Sequence, residues 1–195
     1  MNNKKFILAS SSPQRLDLLK KINVIPSSVI HPEINEDVLK KEKPYAYVKR
    51  LAQQKAQIVY AKHSSCYVLG ADTSVIRGAK ILGKPNNEDE ALKFLNLLSG
   101  RKHQVITSYC IYKPDGSYIL KAISSDVVVK NLSDIEKKWY ISTGEWKNKA
   151  GGYSISGRFE VFVKQINGCI SNVIGLPLPY VYNSLLGLGY NFTDV

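Results

Sequence analysis

Acidic side chains are in short supply in this sequence: 16 Asp and Glu stand against 27 Lys and Arg, a formal net charge of +11 over 195 residues. That deficit points to polyanionic partners, namely nucleic acid, acidic lipid or a phosphorylated substrate, without choosing among them. Cysteine is sparse too. Cys66, Cys110 and Cys169 are odd in number and far apart, which argues against a disulfide framework and a paired zinc spacing and for reduced, structural thiols. No run approaches the roughly 18 continuous apolar residues of a membrane span. The apolar stretch Phe6 to Ala9 behind the polar start is too short for the core of a signal peptide. A cytoplasmic protein with no membrane partner is expected. His31, His63 and His103 are isolated, so metal ligation by paired histidines is not expected. Repeats, low-complexity tracts and linkers are also missing, which argues for one α/β domain over residues 1–195.

What is present is a 44% apolar chain, enough for a sizeable core. Phe6 to Ala9 reads as a buried strand that stops at Ser10-Ser11-Ser12, with Ser12 as N-cap and Pro13 as the first residue of a helix carrying Leu16, Leu18 and Leu19. A strand feeding a helix through small residues is an anion-site geometry. A second strand is predicted at Ser27 to Ile30, then a polar loop from His31 to Lys43 carrying Glu33, Glu36 and Asp37. Pro44 opens a helix to about Lys62 with the stripe Val48, Leu51, Ala52, Ala56 and Val59. Tyr67 to Ile76, without polar alternation, reads as a central strand, and Ile81 to Pro85 returns as a hairpin. Asn86 or Asn87 caps a helix through Leu98, and Gln104 to Tyr112 and Ser117 to Val129 read as strands. Ser133 caps a helix to about Ile141, Glu145 to Gly157 reads as a functional loop, Phe159 to Ile166 as a strand and Pro179 to Leu188 as a closing helix.

Four side chains stand out against this background. Asp72 lies in an apolar strand, where an ionised carboxylate is costly unless paired, hydrogen-bonded or bound to metal; the plain alternative is a strand-end Asp that caps the next turn. Arg15 sits near the positive end of a helix, a conflict that a bound anion would resolve, although a surface arginine is the commoner case. Lys55 falls on the apolar stripe, so it either snorkels to solvent, the commoner outcome, or points into a cleft that needs a charge. Lys84 is flanked by Gly83 and Pro85, which suits a cation held for a phosphate. Gly151-Gly152 lacks the spacing of a phosphate loop and reads as a turn.

In order along nearly the whole chain, these segments resemble the Maf family. The match comprises Leu8 to Arg15 with Leu18-Leu19; Ile34-Asn35-Glu36; Arg50-Leu51-Ala52 with Lys55-Ala56; Gly70 to Thr73; Leu82 to Pro85; Leu98 to Arg101 with His103; Lys149-Ala150-Gly151; and Gly175-Leu176-Pro177. The resemblance implies an α/β fold, an elongated mixed sheet flanked by helices with two lobes around a nucleotide cleft. It also implies hydrolysis of a nucleoside triphosphate to monophosphate and pyrophosphate. By position Asp72 corresponds to the general base, Ser10, Arg15, Lys55 and Lys84 to phosphate-facing residues, and Glu36 with Asp72 to the divalent metal site. Mg²⁺ or Mn²⁺ is the expected cofactor, because oxygen ligands select hard cations. Homodimers are common in the family.

Three positions bear on the base. The branch specific for dTTP and UTP carries Arg, Thr and Gln where this chain has Gln14, Thr73 and Ser156, and the branch acting on 7-methyl-GTP carries Trp, Gln and Glu. Only Thr73 agrees with the first branch and none with the second, so these positions do not select a base. A rival class, a basic nucleic-acid-binding or septation-regulating protein without catalysis, draws on the +11 charge and on the family's association with arrested cell division. Charge spread along the whole chain, with no basic tail and no aromatic ladder, argues against a specific nucleic-acid partner.

Overall fold

Apolar runs and helix caps lay out the elements in chain order. In the computed structural model, which describes residues 5–192, the first run forms the fully buried β1 (Phe6–Ala9), and Pro13 opens α1 (Pro13–Lys20). Then come β2 (Ser28–Ile30), α2 (Pro44–Lys62), β3 (Tyr67–Arg77), β4 (Lys80–Leu82) and α3 (Glu88–Leu98). Asn87 caps α3 by accepting from the Glu90 amide. β5 (Lys102–Tyr112) and β6 (Tyr118–Val129) precede α4 (Asp134–Ser142), whose start is a full capping box of Ser133 and Glu136. β7 (Val163–Asn167), α5 (Ile170–Ile174) and α6 (Leu178–Gly187) are the last elements among the described residues. Among the described residues, no helix is long and apolar enough to cross a membrane.

Among the described residues, seven strands form one sheet in the order β2-β1-β3-β5-β6-β7, with β4 beside β3. β1 pairs in parallel with β2 and β3, whereas β3–β4 and β6–β7 are antiparallel. This is the mixed α/β sheet that the sequence led us to expect. By contact the described chain separates into two compact units, residues 5–72, 107–123 and 175–192, and residues 73–106 and 124–174.

In the first unit, the parallel register Ala9↔Gly70 sets Ser10 abreast of Ala71 and one residue short of Asp72, at the carboxyl end of β1. Carboxyl ends of parallel strands are where open α/β sheets bind ligands. Helix α2 packs over this pairing through buried Val48, Leu51, Ala52, Ala56 and Val59. Its seat is close: a Cβ at Gly70 would lie 2.5 Å from the Ala56 nitrogen and 2.7 Å from the Ala52 carbonyl oxygen. Burial of Val48, Leu51 and Val59 stabilises that seat by on the order of 5 kcal/mol. It thereby offsets the cost of burying Lys55 on the same stripe.

The second unit has its own core, in which Phe94, Leu95 and Leu98 of α3 meet Val75, Leu82, Tyr140 and Trp146. One expected element is corrected here. Residues Arg158–Phe162 form a 3-10 turn, and the strand begins only at Val163. Alternation would have aligned Phe159, Val161 and Val163 on one face, yet Val161 is 67% exposed while Phe159 and Phe162 are buried. Phe159 stacks on Tyr153 at 4.3 Å between ring centroids and meets Tyr140 and Phe162 edge-on. Such pairs are worth about 0.5–1.5 kcal/mol each beyond the area they bury, so this cluster overrides local strand preference. The short α5 was also not foreseen, because five residues carry too little periodicity.

Candidate functional site

Where β1 ends, Ser10 and Arg15 are drawn together by the turn into α1. Arg15 is buried, donating from Nη1 to Ser10 Oγ at 2.9 Å and from Nε to the Gly175 carbonyl at 2.9 Å. Ser10 Oγ also accepts from the Ser12 amide at 3.2 Å. Ser12 occupies the N-cap, but its hydroxyl turns to Gln14 Oε1 at 3.1 Å, so no side chain caps the helix. The surface alternative for Arg15 is thereby overturned. Burial lowers the Arg15 pKa, and the negative charges of Asp72 and Glu36 act against that shift.

Lys55 does not snorkel. Close approach of α2 at Gly70 brings its ammonium over the end of the β1–β3 pairing, where Nζ lies 2.7 Å from Asp72 Oδ1 and 2.7 Å from Glu36 Oε1. Asp72 and Lys55 are both 7% exposed, while the Glu36 side chain is 39% exposed. Two carboxylates thus share one ammonium, with the outer one open to solvent. The capping alternative for Asp72 does not describe this arrangement: its carboxylate is a member of a buried ionic cluster.

Sequence reasoning gave no role to the side chains that hold Glu36. The polar loop that carries it has no helix or strand, yet its backbone is wired to α2. Tyr47 Oη donates to the Glu36 carbonyl at 2.8 Å, and Arg50 donates from Nη2 to the Asp37 carbonyl at 2.9 Å. Arg50 also forks onto Glu42, at 2.7 Å from Nε and 2.8 Å from Nη2. Burial, followed by the charges of Asp72 and Glu36, pushes the Tyr47 hydroxyl up to about 12, which keeps it a neutral donor. The available clue was spacing: Tyr47 precedes Leu51 and Lys55 by one and two steps of four, on one side of the helix.

The remaining candidates belong to the second unit. Lys84 is exposed between Gly83 and the buried Pro85, and the Gly151 amide donates to the Gly83 carbonyl at 2.9 Å, pinning the peptide that precedes Lys84. Gly151 must be glycine there: its φ is +70°, and a Cβ would meet Val75 at 2.7 Å. Thr73 is half-buried in β3 directly after Asp72. Ser156 is exposed in the irregular 145–157 segment, which is tied where Glu145 accepts from the Arg158 amide and guanidinium, both at 2.7 Å. His103 is buried, bonded through Nε2 to Tyr153 Oη at 2.8 Å, and serves the core. The three thiols are free, and burial pushes Cys110 up to about 12, leaving it inert.

Ser10, Arg15, Glu36, Lys55 and Asp72 therefore converge in one unit on a cluster of fixed donors and acceptors. Such a cluster can bind phosphate oxygens through Arg15 and Ser10 and accept a proton at Asp72. Among the described residues, no group of three or more His, Cys, Asp or Glu could hold a metal by itself.

Comparison with known proteins places the chain in a family. A family model described as Maf-like protein matches residues 5–188. A dTTP/UTP pyrophosphatase of Zymomonas mobilis is 43% identical over 184 residues, spanning 94% of this chain and 91% of that protein. A nucleoside triphosphate pyrophosphatase of Anaplasma marginale is 44% identical over 181 residues, spanning 93% and 92%. Among solved structures, a HAM1 protein from Coxiella burnetii aligns with 94% of this chain and 99% of its own at 13% identity and a TM-score of 0.49. With the family match extending from β1 to just beyond α6, and relatives above 40% identity along almost their full length, the chain belongs to the Maf family.

Proposed function

We propose that this chain hydrolyses nucleoside triphosphates to the monophosphate and pyrophosphate. The observation that carries the reading is Asp72, a buried carboxylate held at 2.7 Å by the ammonium of Lys55, which Glu36 shares. Relatives named as dTTP/UTP and nucleoside triphosphate pyrophosphatases support it.

In this reading Asp72 accepts the proton of a water that attacks the α-phosphorus, and Lys55 keeps its carboxylate oriented for that transfer. Arg15 and Ser10 receive phosphate oxygens beside the uncapped start of α1, whose amide groups favour an anion. Lys84, on its pinned peptide, corresponds by family resemblance to a further phosphate-facing cation. Each well-placed donor to the charge that develops contributes on the order of 3 kcal/mol to the barrier lowering.

Formal charge argues for a metal. Arg15 and Lys55 are balanced by Glu36 and Asp72, so this cluster offers no surplus against a triphosphate. Two carboxylates facing one cation form a hard oxygen donor set, too small for a closed cage and suited to an ion shared with substrate phosphate. Glu36 and Asp72 would hold Mg²⁺ or Mn²⁺, which supplies charge neutralisation and polarisation of the phosphates.

Thr73 matches the dTTP/UTP branch, but the short hydroxyl of Ser156 lacks the paired donor and acceptor of an amide. Substrate range therefore extends beyond dTTP and UTP. The test is a screen of pyrophosphate release over canonical and modified triphosphates with Mg²⁺ and with Mn²⁺. Release from several of them is expected, and a parent protein no faster than its Asp72→Asn variant on all of them would end the reading.

A further inference from the structure

The loop between β2 and α2 has no regular structure, yet one helix holds both the backbone and the side chain of Glu36. Its side chain reaches Lys55 at 2.7 Å. Its carbonyl accepts from Tyr47 at 2.8 Å, and the next carbonyl, of Asp37, accepts from Arg50 at 2.9 Å. Asn35 Oδ1 accepts from the Asp37 amide at 2.7 Å, closing a tight turn with Glu36 at its tip. Glu42, gripped by Arg50, accepts in turn from the Leu39 amide at 3.0 Å. Arg50 also lies 5.6 Å over the Tyr47 ring, so the two holding groups brace each other.

We propose that Tyr47 and Arg50 are positioning residues for Glu36: together they convert an irregular loop into a fixed mount for one carboxylate of the site. The physical need is clear, since Glu36 is the outer and more exposed carboxylate of the pair. A carboxylate on an untethered loop would sample many positions, whereas a displacement of about 1 Å costs around a hundredfold in rate. This inference rests on the assignment of Glu36 to the site made above.

Two measurements test it, one of them independent of activity. Tyr47→Phe removes only the hydroxyl, and Arg50→Lys keeps the charge but loses the fork. In hydrogen exchange, the Asp37 and Leu39 amides are expected to exchange at least about tenfold faster in these variants, with the β1 and β3 amides unchanged; unaltered loop exchange overturns the proposal. In pyrophosphate release, Tyr47→Phe is expected to lower kcat/KM about tenfold in the parent but less than about twofold when Glu36 is already Gln. An equal loss in both backgrounds would mean that Tyr47 acts by another route and overturns the proposal too. Failure of the proposed function itself shows separately, as absence of pyrophosphate release from the parent, while the exchange measurement still decides the mount.

Discussion

Asp72 and His103 are both buried ionisable side chains, and their surroundings give them opposite consequences. Asp72 is paired with a cation in a cluster that includes Glu36 and Arg15. Asn at this position keeps an acceptor oxygen for Lys55 but cannot take a proton from water. We therefore expect Asp72→Asn to lose at least about a hundredfold in turnover with a melting temperature close to the parent's; retained turnover with a clear drop in melting temperature would make Asp72 structural. His103, 2% exposed, has a tyrosine hydroxyl on Nε2 and, among the described residues, no hydrogen-bond partner on Nδ1. Burial, with a smaller contribution from Arg77, pulls its pKa down to about 4. Below about pH 6.5 the unfolded chain takes up a proton that the folded protein refuses, so stability falls with falling pH until about pH 4. The loss is on the order of 3 kcal/mol. His103→Gln keeps a partner for Tyr153 and should flatten this part of the pH dependence in urea unfolding; an identical slope in the variant would locate the loss elsewhere.

At the scale of elements, the site depends on how closely α2 lies on β3. Gly70 is the point of contact, and a methyl there would meet backbone atoms that cannot move independently. Gly70→Ala should push the helix outward, costing about 1–3 kcal/mol of stability from overpacking and shifting Lys55 from Asp72. Urea unfolding and pyrophosphate release should fall together, and a variant with parental values in both would show that α2 yields there without consequence. The loop 31–43 poses the converse problem. Its polar composition correctly indicated absence of helix or strand, but composition does not report that Tyr47, Arg50 and Glu42 make it rigid. The strand expected at Phe159 failed for a related reason, because aromatic packing at a three-residue spacing outweighed a local alternating pattern.

For the whole molecule, the +11 charge adds long-range attraction for any polyanion, nucleotide or nucleic acid. The two uses separate with salt. Non-specific DNA contacts weaken by roughly a thousandfold or more between 50 and 200 mM salt, whereas triphosphate hydrolysis at built contacts should change by less than about tenfold. Measuring DNA retention and pyrophosphate release in one salt series checks this, and a parallel collapse would mean that the net charge, rather than the Asp72 cluster, holds the substrate.

Much of this protein was determined locally. Caps at Asn87 and Ser133, the proline starts of α1 and α2, the stripe from Val48 to Val59 and the buried run of β3 are short-range patterns, and each appears in the fold close to where the residues placed it. Identity of the chemical groups was legible as well, through an apolar-strand carboxylate and cations in awkward positions. Only the tertiary structure decided what those groups do to one another. Lys55 and Asp72 are 17 residues apart and Arg15 is 160 from Gly175; periodicity says nothing across such separations. Their meeting requires the parallel register of β1 with β3, a glycine that lets a helix approach, and two side chains that tie down a loop, because an ionic cluster exists only where packing brings its members within hydrogen-bond distance and excludes water from most of them.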